Sequence, residues 1–194
     1  MKPVLFIGVL LFALYIYGEQ SEIPHPAGVM APDEPVQRGI YTSAVHEQNG
    51  YRITPLATFD IRARVILSER YRWGREADLS PVDLVLGWGA MSDSAVLKQL
   101  NFSQGGRSYR WWAKTLPIPR EVIEAHSANM HMIPADRTIE RQLKSIRAGN
   151  MIHLKGYLVE VTTKEGWRWK SSLTRNDTGG GACELIWVES LDVW

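Results

Sequence analysis

His126, Asn129 and His131 are the first residues whose types and spacing could do chemistry. Two histidines five apart do not share a helix face, so this is not the His-x-x-x-His spacing of a zinc site. Only a turn would converge them, and no third ligand stands beside them, so no metal is expected. Asn129 suits a left-handed turn residue, and the imidazoles suit helix ends or backbone partners. Cys183 is the only cysteine. A nucleophilic thiol needs a base and an electropositive setting, whereas Cys183 follows Gly-Gly-Gly-Ala and opens an apolar run. It reads as a small residue in a tight core. A hydrolase or transferase using His126, His131 or Cys183 is the runner-up function.

Asp177-Thr178-Gly179 has the tripeptide of aspartic-protease loops, in which two carboxylates share a proton. Here polar residues precede it and there is no second copy. A turn closed by Asp side-chain bonds is the better account. The glycines at 179–181 precede a strand, not a helix, so they lack the context of a phosphate loop.

The stronger functional signal is arginine interleaved with aromatic residues. Arg62, Arg64, Arg70, Arg72 and Arg75 cluster around Tyr71 and Trp73. They read either as a solvated strand face or as an anion-binding or headgroup-facing patch. Trp88, Trp111, Trp112, Trp167 and Trp169 pack a core or line a groove. Arg175 sits in a polar loop, 174–181, where it can reach a carboxylate or a bound anion. The leading reading is a ligand or partner surface made by Arg175, Trp167 and Trp169, with Trp111, Arg62, Arg64, His126 and His131 as further candidates. No cofactor is expected.

These residues need elements to position them. Residues 151–163 alternate with period two, and Gly156 in mid-strand marks a bulge or bend. Lys164-Glu165-Gly166 is a hairpin turn. A strand returns over 167–173, with Trp167 and Trp169 on one face, and a third strand covers 182–189. Upstream, 51–73 holds one or two strands. Ser80-Pro81 predicts a short helix over 82–88, and a second follows over 92–100. Residues 101–106 read as a turn and 107–114 as an aromatic strand. A helix starts at Pro119. The clearest helix is 134–148, where Ile139, Leu143 and Ile146 form one face and Gly149 the stop.

The fold expected is therefore α+β: a small curved antiparallel sheet or OB-like barrel with several short helices, preceded by an N-terminal hydrophobic helix. The C-terminal stretch resembles bacterial OB-fold domains, through its strand with a mid-strand Gly, its aromatic strand and its Asp-Thr-Gly turn. The stretches SPVDLVLGWGAMSD and HSANMHMIPAD resemble a family of bacterial membrane-anchored envelope proteins of unassigned activity. That resemblance implies a place in the cell but no mechanism.

Residues 1–18 begin Met-Lys and continue apolar through Tyr17. Tyr15 and Tyr17 suit an interfacial belt, and the residues around Gly18 make a poor small-x-small cleavage site. The reading is an uncleaved anchor, with a cleaved signal sequence as the alternative: a single-pass inner-membrane protein whose globular part lies in the periplasm. Residues 19–40 read as a Pro-rich linker, and 41–194 as one α+β domain. Forty-five per cent apolar residues mark a globular chain, and a net charge of +1 gives no reason to expect nucleic acid. The expected partners are the membrane and either a protein or a small ligand. One cysteine permits no internal disulfide, so the core alone must hold the domain.

Overall fold

The structure, a computed structural model, describes residues 22–40, 44–174 and 183–194. It is of mixed α and β class, and a curved sheet dominates it. The helix expected at 1–18 and the loop residues Arg175 and Asp177 lie outside the described residues.

Eight of the described strands form the sheet: β1 (Val36–Gly39), β2 (His46–Gln48), β3 (Tyr51–Arg70), β4 (Val82–Gly87), β7 (Ser127–Pro134), β8 (Met151–Thr162), β9 (Arg168–Lys170) and β10 (Glu184–Val193). Two more, β5 (Asn101–Gly105) and β6 (Ser108–Trp112), make a separate hairpin. The helices are short: α1 (Arg75–Leu79), α2 (Ser94–Leu97), α3 (Arg120–Ala125) and α4 (Arg137–Ser145), with a 3-10 turn at Gly89–Ser92.

Five strands form a ring. β3 pairs with β4, β4 with β7, and β8 with both β10 and β3, all antiparallel. β7 and β10 run parallel. β3 is long enough to serve two neighbours, lying along β8 from Arg52 to Arg64 and along β4 from Arg64 to Arg70. Alternation then sorts the side chains: Phe59, Ile61, Leu84, Met130, Leu154 and Ile186 meet in one cluster inside the ring. Two smaller clusters lie on its outer surface, one around Ile53, Leu185 and Trp187, the other around Val85, Met91 and Ile123.

α4 contributes Ile139, Leu143 and Ile146 to the inner cluster and packs against β7 and β10. Its start is fixed by Asp136, whose side chain accepts bonds from the amides of Thr138 and Ile139. The apolar face predicted from sequence is thus buried. Leu143→Ala, at a fully buried position, is expected to cost about 3 kcal/mol in chemical denaturation. A loss under roughly 0.5 kcal/mol, the size of a surface change, would contradict that packing.

The Pro-rich segment is laid against the domain from Glu22 onward. Ile23 N–H donates to Ala148 O (2.9 Å) and Gly89 N–H to Ala31 O (2.7 Å). Gly28 N–H donates to Asp93 (2.8 Å), and the amides of Met30 and Ala31 donate to Ser92 Oγ. The Gly28 and Ala95 amides hold the Asp93 carboxyl below the usual carboxylate range.

Three local expectations are corrected. Residues 82–87 form β4, not a helix: Ser80 caps nothing there, and β3 and β7 pair with both edges of the run. Pairing on two sides outweighs the gain of a two-turn helix. Residues 101–105 are β5, not a turn. Asn129 lies in β7, not in a left-handed turn, because 127–134 is held between β4 and β10.

Candidate binding site

The site starts from two polar residues in apolar strands. β4 reads Val-Asp-Leu-Val-Leu-Gly, and its inward residues are Val82, Leu84 and Leu86. Asp83 therefore points outward. On β7 the inward residues are Met130 and Met132, which turns Asn129 and His131 outward. The register sets Asp83 opposite His131, and Asp83 Oδ2 lies 2.9 Å from His131 Nδ1. At that ion-pair distance the pair is not aligned as a hydrogen bond. The Asp83 side chain has no solvent exposure, so a carboxylate there needs compensation.

Arg107 provides it. The β5–β6 hairpin folds over this face and brings Arg107 Nη1 to 2.6 Å from Asp83 Oδ1. The turn is Gly106-Arg107, with φ of 58° and 64°. Two left-handed residues match a tight hairpin turn, but the second position favours Gly over Arg. The contacts made only by Arg107 offset that strain. Its guanidinium lies 3.8 Å from the Tyr71 ring centroid and 5.7 Å from that of Trp169. Its N–H donates to Tyr71 Oη (3.1 Å), and its carbonyl accepts from Asn129 Nδ2 (3.2 Å) and Cys183 Sγ (3.8 Å). Burial pushes the Tyr71 phenol above its ordinary value, outweighing the Arg107 N–H bond.

From this cluster an aromatic ladder runs along the outer surface. His131 meets Trp169 at 4.9 Å, Trp169 meets Trp167 at 6.1 Å, and Trp167 meets Tyr51 at 5.9 Å. Arg75 lies 5.6 Å over Trp167. The two tryptophans come from the connection between β8 and β10. Arg75 comes from the connection between β3 and β4, which also carries Arg72 and Trp73 and follows Arg70 at the end of β3. Trp73 is 90% exposed. Beside it a cleft of about 530 Å³ is bordered by Arg70, Tyr71, Arg72 and Lys144, with Asp78 and Glu140 among its other walls.

The structure thus brings Trp167, Trp169 and His131 together. It places the other candidates elsewhere. His126 follows α3, its Nδ1 2.8 Å from Val122 O and its Nε2 3.0 Å from Glu34, the backbone role foreseen for it. Trp111 packs in an outer cluster with Arg120 over its ring at 4.7 Å. Trp88 is buried in the inner cluster. The five tryptophans therefore line no single groove. Arg62 is exposed, whereas Arg64 is buried beneath Ser94 and Glu22. Asp83 and Arg107 were missed by sequence reasoning.

The cluster contains an acid beside an imidazole, the pairing that orients a general base. His131, however, is 4% exposed on its side chain and packed on Trp169, and Cys183 reaches the Arg107 carbonyl. These contacts do not make a thiol–imidazole pair. Among the described residues no group of three or more His, Cys, Asp or Glu could hold a metal ion, and no helix is long and apolar enough to cross a membrane. What the arrangement offers is a rigid surface of indole faces and guanidinium groups, fitted to stacking and to carboxylate recognition. No protein-family model matches the sequence, and no curated protein or solved structure is significantly similar to it.

Proposed function

We propose that the protein is a non-catalytic binding module, an OB-type barrel that engages a protein partner through its arginine–aromatic rim. In this reading residues 1–18 anchor it in the inner membrane, and the barrel faces the periplasm as part of a bacterial envelope assembly. The barrel assignment is supported by the five-strand ring, its single parallel pair, and a helix between the third and fourth ring strands. In OB barrels the loops joining strands one to two and four to five flank the ligand face. Here those two connections supply Arg75 and Trp73 on one side and Trp167 and Trp169 on the other. The outer face of β4 and β7, the usual ligand floor, is covered by the chain's own β5–β6 hairpin. The rim is what stays open.

One observation carries the reading: Trp73 stands 90% exposed beside Arg72 and Arg75. Tryptophan and arginine dominate the energetics of protein interfaces. The test is site-specific photocrosslinking of the full-length protein in its native membrane. A photoreactive residue at position 73 is expected to capture a defined partner that the same residue at the exposed Val36 does not. Trp73→Ala should weaken binding of that purified partner by about tenfold or more. Equal capture at both positions, or a Trp73→Ala affinity unchanged within about twofold, would defeat the proposal.

A further inference from the structure

A second cleft, of about 470 Å³, lies away from the rim, between the N-terminal segment, the C-terminal part of β3, α2 and the start of β5. One wall is apolar, formed by Leu67, Leu97 and Phe102, and the other carries Arg64, Ser94 and Glu22. The volume is in the range of small-molecule sites, which pair apolar walls with a few placed polar groups.

Arg64 is the unusual member. Its side chain is 3% exposed, and a buried guanidinium needs a counter-charge. Nη1 is used by Ser94 Oγ at 2.6 Å and Ser92 O at 3.4 Å. The other edge of the guanidinium carries Nε and Nη2, the two parallel donors that fit a carboxylate side-on. Nη2 donates to Glu22 Oε1 at 2.9 Å, while Nε, out of solvent contact, has no partner among the described residues. The counter-charge is thus held by one oxygen, and Glu22 is 61% exposed on its side chain. Asp93, also close enough to feel Arg64, is committed to the amides of Gly28 and Ala95.

We propose that this cleft binds a small carboxylate with an apolar body. The ligand carboxylate replaces Glu22 on Arg64 and takes both donors of the open edge; the body lies against Leu67, Leu97 and Phe102. Glu22 is then an internal stand-in that competes with the ligand. An untethered carboxylate can fill the fork that Glu22, fixed to the chain, fills by half.

The experiment is calorimetric and amide-NMR titration of the full-length protein in lipid nanodiscs. The probe is 4-phenylbutanoate, with 4-phenylbutanol and 4-phenylbutylammonium as controls of similar shape. The carboxylate is expected to bind about tenfold tighter than the alcohol, with shifts confined to residues bordering the cleft. Glu22→Gln removes the competitor and should tighten carboxylate binding about fivefold, leaving the alcohol unchanged. Arg64→Lys keeps the charge but loses the fork, and should cancel the preference for carboxylate. Glu22 is mostly exposed, so its variant remains informative even where Arg64→Lys fails to fold. Alcohol binding as tight as carboxylate binding, shifts that map elsewhere, or a Glu22→Gln affinity equal to or weaker than wild type would each overturn the proposal. The last result would mean that the Glu22–Arg64 pair only docks the N-terminal segment.

Discussion

Gly156→Ala is expected to abolish the folded state or to cost more than about 4 kcal/mol, in the exceptional range for one substitution. Gly156 lies in β8 between two partners, opposite Phe59 on β3 and Val188 on β10. Just there the β8–β10 register shifts between Val188 and Ser190, a bulge that lets β10 turn across the ring. A Cβ on Gly156 would lie 1.9 Å from the Trp187 carbonyl oxygen and 2.9 Å from its carbon. Both atoms are backbone, so no rotamer relieves the clash, and moving β10 would also disturb its parallel pairing with β7. The glycine is needed for space, since its φ is not among the positive ones. Gly39→Ala is the control: a Cβ there meets nothing within 4 Å, and it should change stability by less than about 0.5 kcal/mol. Urea denaturation followed by tryptophan fluorescence measures both. A Gly156→Ala midpoint near that of wild type would mean that β8 and β10 are not crossed this closely.

That bulge was legible in the sequence because β8 alternates over much of its length and the glycine interrupts a face that is otherwise Ile152, Leu154 and Leu158. α4 was legible for a similar reason: its apolar period and its pairing of Glu140 with Lys144 agree, although the helix ends at Ser145 with Ile146 as its cap, short of the stop expected at Gly149. β4 was not. A short, mostly apolar run after Ser-Pro fits a buried strand or a short helix equally well by periodicity. What decides it is the presence of β3 and β7 on its two edges, which no local pattern states. The same holds for β7, where Asn129 suggested a turn and His131 a helix end or backbone partner, because polar residues mark turns and ends more often than buried strands.

The candidate site was legible where it depended on one strand. Trp167 and Trp169 share a parity, and they do share a face. The Asp83–His131–Arg107 cluster depends on three separate elements, and spacing along the chain cannot reveal it. A signal was nevertheless present. Asp83 is the one charged residue between Val82 and Gly87, and His131 stands between Met130 and Met132. A carboxylate and an imidazole, each alone in a run that must be buried, are expected to find each other. Arg107 left a weaker trace, a large residue after two glycines in a hairpin turn.

Asp83→Ala tests that cluster and is expected to cost about 3–5 kcal/mol, the range for removing one partner of a buried ion pair. The carboxylate is the charged link between the hairpin and β7: one oxygen meets Arg107 and the other faces His131, beside the neutral bonds of Gln104 to Asn129 and of Tyr109 to Ser127. Without it the guanidinium stays over Tyr71 with its charge uncompensated, and the left-handed φ at Arg107 has lost the contact that offset it. Asp83→Asn keeps the shape and one acceptor, so it should cost less. Arg107→Gly relieves the backbone while removing the charge, and in the Asp83→Ala background it should cost less than it does alone. A coupling between the two positions of about 0.5–3 kcal/mol is expected from a double-mutant cycle in urea. Independent effects, or an Asp83→Ala loss below about 1 kcal/mol, would show that the hairpin is held by its apolar contacts and its other hydrogen bonds instead. The cluster also props Trp169 through His131 and Arg107. In folded Asp83→Asn protein, therefore, capture at position 73 should weaken although residue 83 itself is buried.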